Sequence, residues 1–239
     1  MLKTVPFCPK LRNLAAVAVA LFLLALVVHA QQPAPQQTGS RFDITNYRIE
    51  AQIIPEQHLL RAGADITFTP LEETRSAVFE LNGSLKVESI ERDGKPLTGF
   101  VQDPVGVGAL GPSVRVDLGQ VVPANQPVTL RFRWSGALVS PEGGPLAIRR
   151  LAYVGNEGSY LMYASRWFPF HDYAADRATS DITLIVPTGI QVAGTSDDPV
   201  VAQASPKEGA TRFRFVHRQP VLPGNFVAGQ YVNNNLRFG

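Results

Sequence analysis

The sequence predicts an antiparallel all-β protein, either a sandwich or a broad bent sheet. Three observations carry this. From Phe42 onward apolar and polar side chains alternate with period two, the spacing of a strand with one buried face. No segment beyond the first thirty residues sustains a helical apolar stripe for three turns. Gly and Pro, 20 and 19 of the 239 residues, recur at strand-length intervals. Short strands punctuated in this way suit about a dozen strands, a long curved sheet with a second small sheet on it.

The N-terminus stands apart. Lys3, Lys10 and Arg12 precede an unbroken apolar run from Leu14 to Val28, and Val28-His29-Ala30 puts small residues where a signal peptidase reads. This predicts a cleavable signal peptide over 1–30 and a periplasmic or extracellular destination. The run is shorter than the roughly 20 residues of a membrane span, so no membrane contact is expected after cleavage. Residues 31–40 (QQPAPQQTGS) hold no large apolar side chain and read as a disordered linker. Residues 41–239 remain as one β domain with length enough for a sizeable core.

Charge and cysteine exclude some functions. The chain has 22 basic and 20 acidic side chains, and the leader takes three of the basic ones. The near-neutral remainder gives no ground for a nucleic-acid partner. Cys8 is the one cysteine and lies in the leader, so the exported part can form neither a disulfide nor a thiolate metal site.

The elements follow in order. Tyr47 to Ile53 places apolar side chains on odd positions and polar ones on even. Pro55-Glu56-Gln57 turns the chain, and Leu60 to Thr69 resumes with Ala62, Ala64, Ile66 and Phe68 on one face. Ala77 to Leu81 is a short strand closed by Asn82-Gly83. Leu85 to Glu91 follows, with Leu85, Val87 and Ser89 opposite Lys86, Glu88 and Ile90. Asp93-Gly94 then suits a tight hairpin, whose two central residues need positive φ. Gln102 to Pro112 reads as a loop and Ser113 to Leu118 as a strand. Val128 to Trp134 alternates cleanly, with Phe132 and Trp134 facing inward. After a Ser140–Pro145 loop come strands at Leu146–Val154, Asp181–Val186, Ile190–Ala193, Thr211–Val216 and Asn225–Val232.

Reactive constellations are not found in the sequence. His29 leaves with the leader, and no two of His58, His171 and His217 lie within one helical turn of each other, so no local metal-ligand pair forms. There is no Gly-x-Ser-x-Gly elbow, and neither Ser159 nor Ser165 has a base nearby in sequence. Gly106-Val107-Gly108 precedes no helix and does not read as a phosphate cradle. Asp172/Asp176 and Asp197-Asp198 are acidic pairs of the solvated or salt-bridged kind. No catalytic residue and no metal ligand is assigned.

One stretch, Ser159 to Gly189, gathers Tyr160, Tyr163, Trp167, Phe168, Phe170 and Tyr173 among Arg166, His171, Asp172, Asp176, Arg177 and Asp181. Two readings stand. The charges pair beneath an aromatic layer and clasp a joint between sheets. Or Trp167, Tyr160 and Tyr173 rim a surface that holds a peptide or glycan, as on a free-standing binding or scaffold module.

The residues also resemble a known family. Phe42-Asp43-Ile44-Thr45-Asn46-Tyr47, the segment Leu85–Leu97, and Trp167-Phe168-Pro169 through Asp172 are each similar to stretches of the M1 zinc aminopeptidases, the aminopeptidase N-like group. So are Asp176-Arg177-Ala178-Thr179 with Ile182–Pro187, and Asn225–Tyr231, in the same order. The resemblance implies a saddle-shaped N-terminal β domain that precedes and caps a thermolysin-like peptidase domain. The family's zinc-binding His-Glu-x-x-His is absent here, as is its Gly-x-Met-Glu-Asn. This chain is therefore expected to be a fragment or a free-standing relative, without a cofactor of its own, while zinc belongs to the full-length enzyme. Where the family carries a Thr-Gln-x-Glu-like segment that touches substrate, this chain reads Gly158 to Met162. Glu157 and Tyr160 are the nearest substrate-binding candidates; Arg166, Asp172, Asp176 and Arg177 are the expected structural clasp. A capping domain should also leave an apolar patch where its partner sits.

Overall fold

A computed structural model describes residues 41–106, 111–139, 151–173 and 175–231. The expected leader, the linker, the Ser140–Pro145 loop and parts of the Gln102–Pro112, Leu146–Val154 and Asn225–Val232 segments lie outside these residues. Strands are numbered β1 to β15 along the chain.

The main sheet has eight strands. Their order is β13 (Ala202–Ser205), β14 (Ala210–Val221), β11 (Ala178–Pro187), β1 (Phe42–Ile54), β2 (Leu59–Pro70), β8 (Val128–Ala137), β4 (Leu85–Arg92) and β5 (Lys95–Pro96). A four-stranded sheet runs β12 (Gln191–Gly194), β15 (Phe226–Gly229), β10 (Ser159–Leu161), β9 (Ala152–Tyr153). A three-stranded sheet runs β3 (Thr74–Glu80), β7 (Ser113–Val122), β6 (Phe100–Asp103). The all-β expectation holds. Among the described residues each strand pair is antiparallel except one: β1 lies parallel to β11, with Ile49 opposite Ile182 and Ala51 opposite Leu184.

Alternation decides which face of the main sheet is buried. Tyr47, Ile49, Ala51 and Ile53 of β1 stand opposite Ile66, Ala64, Ala62 and Leu60 of β2. In turn Ala62, Ala64, Ile66 and Phe68 oppose Trp134, Phe132, Leu130 and Val128 of β8. All of these side chains are buried. Two bulges break the parity. In β1 the register shifts between Ile44 and Asn46, which lets even-numbered Phe42 and Ile44 join odd-numbered Tyr47 in the core. In β4 it shifts between Val87 and Ser89. Ile90, expected opposite Val87, is consequently buried with it at 1% exposure, and Ser89 loses its expected inward place.

The smaller sheets cover this buried face. Phe79 of β3 meets Phe132 of β8 with ring centroids 5.2 Å apart, and Phe226 of β15 meets Phe215 of β14 at 4.7 Å. Asp93 and Gly94 have φ of 53° and 72° and close the β4–β5 hairpin, as their residue types require. Pro187–Ile190 turns the chain as expected, but β11 and β12 are not partners. β12 leaves the main sheet to pair with β15.

Candidate functional site: the aromatic joint and its edge

Between β10 and β11 the chain forms no regular ladder, and the aromatic side chains explain why. Trp167, Phe168 and Phe170 are fully buried. Phe168 stands edge-on to Tyr47 at 5.1 Å, and Trp167 edge-on to Phe226 at 5.9 Å. The Trp167 indole donates Nε1–H to the Gly224 carbonyl at 2.9 Å, and the Trp167 carbonyl accepts Trp134 Nε1–H at 2.9 Å. One residue thus ties the main sheet to the approach to β15. The backbone is held from the other side too. Glu80 and Phe170 exchange N–H···O bonds of 2.7 and 3.0 Å. Buried Asn82 donates its backbone N–H to the Ser165 carbonyl at 2.8 Å and Nδ2 to the Arg166 carbonyl at 3.1 Å. These bonds hold Tyr163, Ser165 and Asp172 at φ of 74°, 59° and 43°, a left-handed geometry that is costly for residues with a Cβ.

The reading of Trp167 as a rim residue for a peptide or glycan is overturned. Its ring is enclosed and its one donor is spent on a carbonyl. Tyr173 is half-buried and bonds Ser165 Oγ at 2.8 Å, and burial pushes its hydroxyl pKa well up.

The side chains of Asp176 and Arg177 meet partners other than each other. Asp176 is buried and meets Nδ1 of His171 at 2.7 Å; the His171 ring stacks on Phe42 at 3.9 Å. Burial raises the Asp176 pKa, with His171 opposing the rise. Asp172 accepts the backbone N–H of Asp176 at 2.9 Å through its carbonyl and that of Ala175 at 3.3 Å through Oδ1. Arg177 donates Nη1 to the carbonyls of Tyr173 at 3.1 Å and Asp176 at 2.6 Å. Asp181 takes no part in the joint. It stands on the outer face of β11, where Arg214 holds it with two 2.7 Å bonds. That pairing depresses the Asp181 pKa. Arg166 is buried and acts on Glu80, whose pKa is raised by burial against the pull of Arg166 and His171. Glu80 and Asn82 were not legible as members of this site, because they arrive from β3 and the turn after it, some eighty residues earlier.

The edge of the joint carries both substrate-binding candidates. Glu157 is exposed and Tyr160 half-buried. Tyr153 donates its hydroxyl to Glu157 Oε1 at 2.6 Å, and its ring lies 5.7 Å from that of Tyr160, its cross-strand partner. The structure thus brings Glu157 and Tyr160 together through a residue the sequence did not single out. His58 faces the same loop, with Nδ1 at 2.7 Å from the Val154 carbonyl. Past β10, Met162 and Tyr163 are exposed, and the Tyr163 N–H donates to Asn225 Oδ1 at 3.0 Å.

The described residues do not fit a zinc ion. Among the described residues no three His, Cys, Asp or Glu side chains group to hold a metal. His217 is bound at both ring nitrogens, by Ser180 Oγ at 3.0 Å and Thr195 Oγ1 at 3.1 Å.

Neither a protein-family model nor a curated protein matches the sequence. Solved structures do match the fold. An M1 zinc metallopeptidase from Deinococcus radiodurans has a TM-score of 0.65 at 20% identity, over 81% of this chain and 43% of that one. A mutant of an M1 zinc metallopeptidase from the same organism, bound to a Tyr-Ser-Ala substrate, gives 0.64 at 20% identity, over 83% and 44%. A two-domain M1 zinc metallopeptidase mutant bound to L-arginine gives 0.66 at 19% identity, over 80% and 44%. The chain shares its fold with part of these proteins and spans less than half their length.

Proposed function

We propose that this chain is the non-catalytic N-terminal β domain of an exported M1-type zinc metallo-aminopeptidase. It supports and caps a peptidase domain, supplied in the same polypeptide or by a separate chain. The observation that carries this reading is the asymmetry of the likeness, which takes in 81% of this chain but 43% of the metallopeptidase. A second observation agrees with it. Met162, Tyr163 and Leu222 expose 41%, 43% and 36% of their surface, and they flank the Tyr163–Asn225 hydrogen bond. Single exposed apolar residues are ordinary on a protein surface, but these gather where β10 and the approach to β15 meet. They suit the footprint of a covering domain.

In this reading the Tyr153–Glu157–Tyr160 edge lies at the rim of the partner's cleft and touches peptide substrate from the side. Zinc belongs to the partner, where it supplies Lewis-acid activation of water. This chain's contribution is position: the clasped joint fixes the edge relative to the covered face.

The test is activity with and without the partner. The purified chain should release no chromophore from an aminoacyl chromogenic substrate, with or without added zinc. Adding the peptidase domain encoded beside it should give chelator-sensitive release that exceeds that of the peptidase domain alone. Chelator-sensitive release by this chain alone overturns the proposal.

A further inference from the structure

The solvent face of the main sheet carries a feature that neither the core nor the joint uses. A concave trough of about 470 Å³ opens there, within the range of a small-molecule site. Gly63 in the middle of β2 lies in it, opposite Glu50 of β1 and Arg133 of β8. Arg61 is two residues along the same strand face, and Arg48 of β1 stands opposite Asp65, two residues the other way. Arg48, Arg61 and Arg133 thus surround one glycine at spacings of about 7 Å along the strands.

The acids of the trough are already engaged. Arg131 holds Asp65 through bonds of 2.7 and 3.2 Å, and Arg214 holds Asp181 through two of 2.7 Å. Arg212 reaches Glu50 at 2.9 Å, and Glu88 accepts the Ser135 hydroxyl. Arg48, Arg61 and Arg133 have no hydrogen bond or ion pair to a described residue, and all are exposed. Arg48 stands across the strands from both Asp65 and Asp181 and helps to depress the Asp181 pKa, without a hydrogen bond to either; Arg61 and Arg133 line the trough beside it. The glycine points the same way. Glycine weakens a strand interior and often marks a close approach of a ligand. At Gly63 an added Cβ would meet no obstacle nearer than the Phe132 carbonyl at 3.4 Å. A Cβ there would sit close against that backbone carbonyl, and its absence leaves the middle of the trough floor open.

We propose that this trough binds a small soluble molecule bearing two or more phosphoryl groups, gripped by Arg48, Arg61 and Arg133 above Gly63. Guanidinium groups match phosphate oxygens with paired, planar donors. Several such groups around one point favour a compact, multiply charged anion. An extended acidic peptide would spread its carboxylates along a strand instead, past Glu50 and Glu88. This site is independent of any peptidase partner.

Isothermal titration of the purified chain with inorganic tripolyphosphate at 0.15 M salt tests it. Saturable one-to-one binding is expected, weakened tenfold or more by Arg133→Gln and by Arg48→Gln. Gly63→Val should abolish binding, because its branched side chain fills the floor while suiting a strand; a thermal melt by circular dichroism checks that it folds. Arg115→Gln, on the exposed face of β7 and outside the trough, should leave affinity unchanged. Absence of binding to the wild-type chain overturns the proposal. So does equal weakening by Arg115→Gln, or citrate binding as tightly as tripolyphosphate. If Gly63→Val does not fold, the two arginine variants decide alone.

Discussion

Replacing Trp134 with alanine tests the joint at its centre. Trp134 is fully buried on the inner face of β8, and its Nε1–H is the donor that reaches the Trp167 carbonyl. Truncating a buried aromatic side chain costs about 3–5 kcal/mol in lost transfer energy and residual cavity. Removing the donor from a buried carbonyl adds about 1–3 kcal/mol. The two costs overlap in part, so the expected total is about 5 kcal/mol. With a urea m-value near 2 kcal/mol/M, the unfolding midpoint should fall by about 2.5 M. Far-UV circular dichroism is the suitable readout, since Trp134 is one of only two tryptophans and its loss removes much of the fluorescence signal. Trp134→Phe separates the contributions: it keeps an apolar ring in place and loses the donor, so about 1–3 kcal/mol is expected. A loss under about 1 kcal/mol for Trp134→Ala would mean that β8 does not face the core as described, and the tie between the sheets would fall with it.

Three further outcomes are expected. Glu80 and Asp176 both have folded-state pKa values raised by burial. Their contribution to stability is present below the ordinary carboxylate pKa of about 4 and is lost as pH rises through the folded values. Glu80→Gln should flatten that decline in urea midpoints measured from pH 4 upward, and an unchanged slope would contradict it. Asp181 has the opposite sign, because Arg214 depresses its pKa: its contribution is present above about 4 and lost on acidification. Asp181→Asn should therefore lessen acid sensitivity below pH 4 in the same assay. Gly136 is hemmed in by backbone, where a Cβ would overlap the Ser84 carbonyl and lie 2.9 Å from Leu85 Cα. Gly136→Ala should cost about 1–3 kcal/mol by forcing β8 and β4 apart, and a neutral thermal melt would rule out that close approach.

The strand faces were legible wherever alternation ran unbroken, as in Tyr47–Ile53, Leu60–Phe68 and Val128–Trp134. They failed at Ile90 because one bulge residue reverses every inward position beyond it, and composition does not announce a bulge. The Asp93-Gly94 turn was legible because its geometry admits few residue types. The parallel β1–β11 pairing was not, since it joins segments more than a hundred residues apart. Strand β13 was missed for another reason: its alanines, glutamine and serine are exposed or half-buried at a sheet edge and carry no period.

The joint shows the same division. Its location was visible as a concentration of aromatic side chains. Part of its bonding was not. Asp181 lies only four residues beyond Arg177, yet a strand places it on the outer face beside Arg214. Arg177 turned to backbone carbonyls instead of carboxylates. Glu80 entered from β3 through its backbone exchange with Phe170. Proximity in sequence inside an irregular segment says little about which charges meet; the surrounding sheets decide.

The central proposal is that this domain covers a peptidase domain. Analytical ultracentrifugation of the purified chain with an M1-type peptidase domain bearing His-Glu-x-x-His measures that directly. The account predicts a one-to-one complex that is lost on combining Tyr163→Glu with Leu222→Glu, two exposed positions, with far-UV circular dichroism checking that the doubly substituted chain still folds. No complex with the unaltered chain, or a complex indifferent to both substitutions, would contradict it.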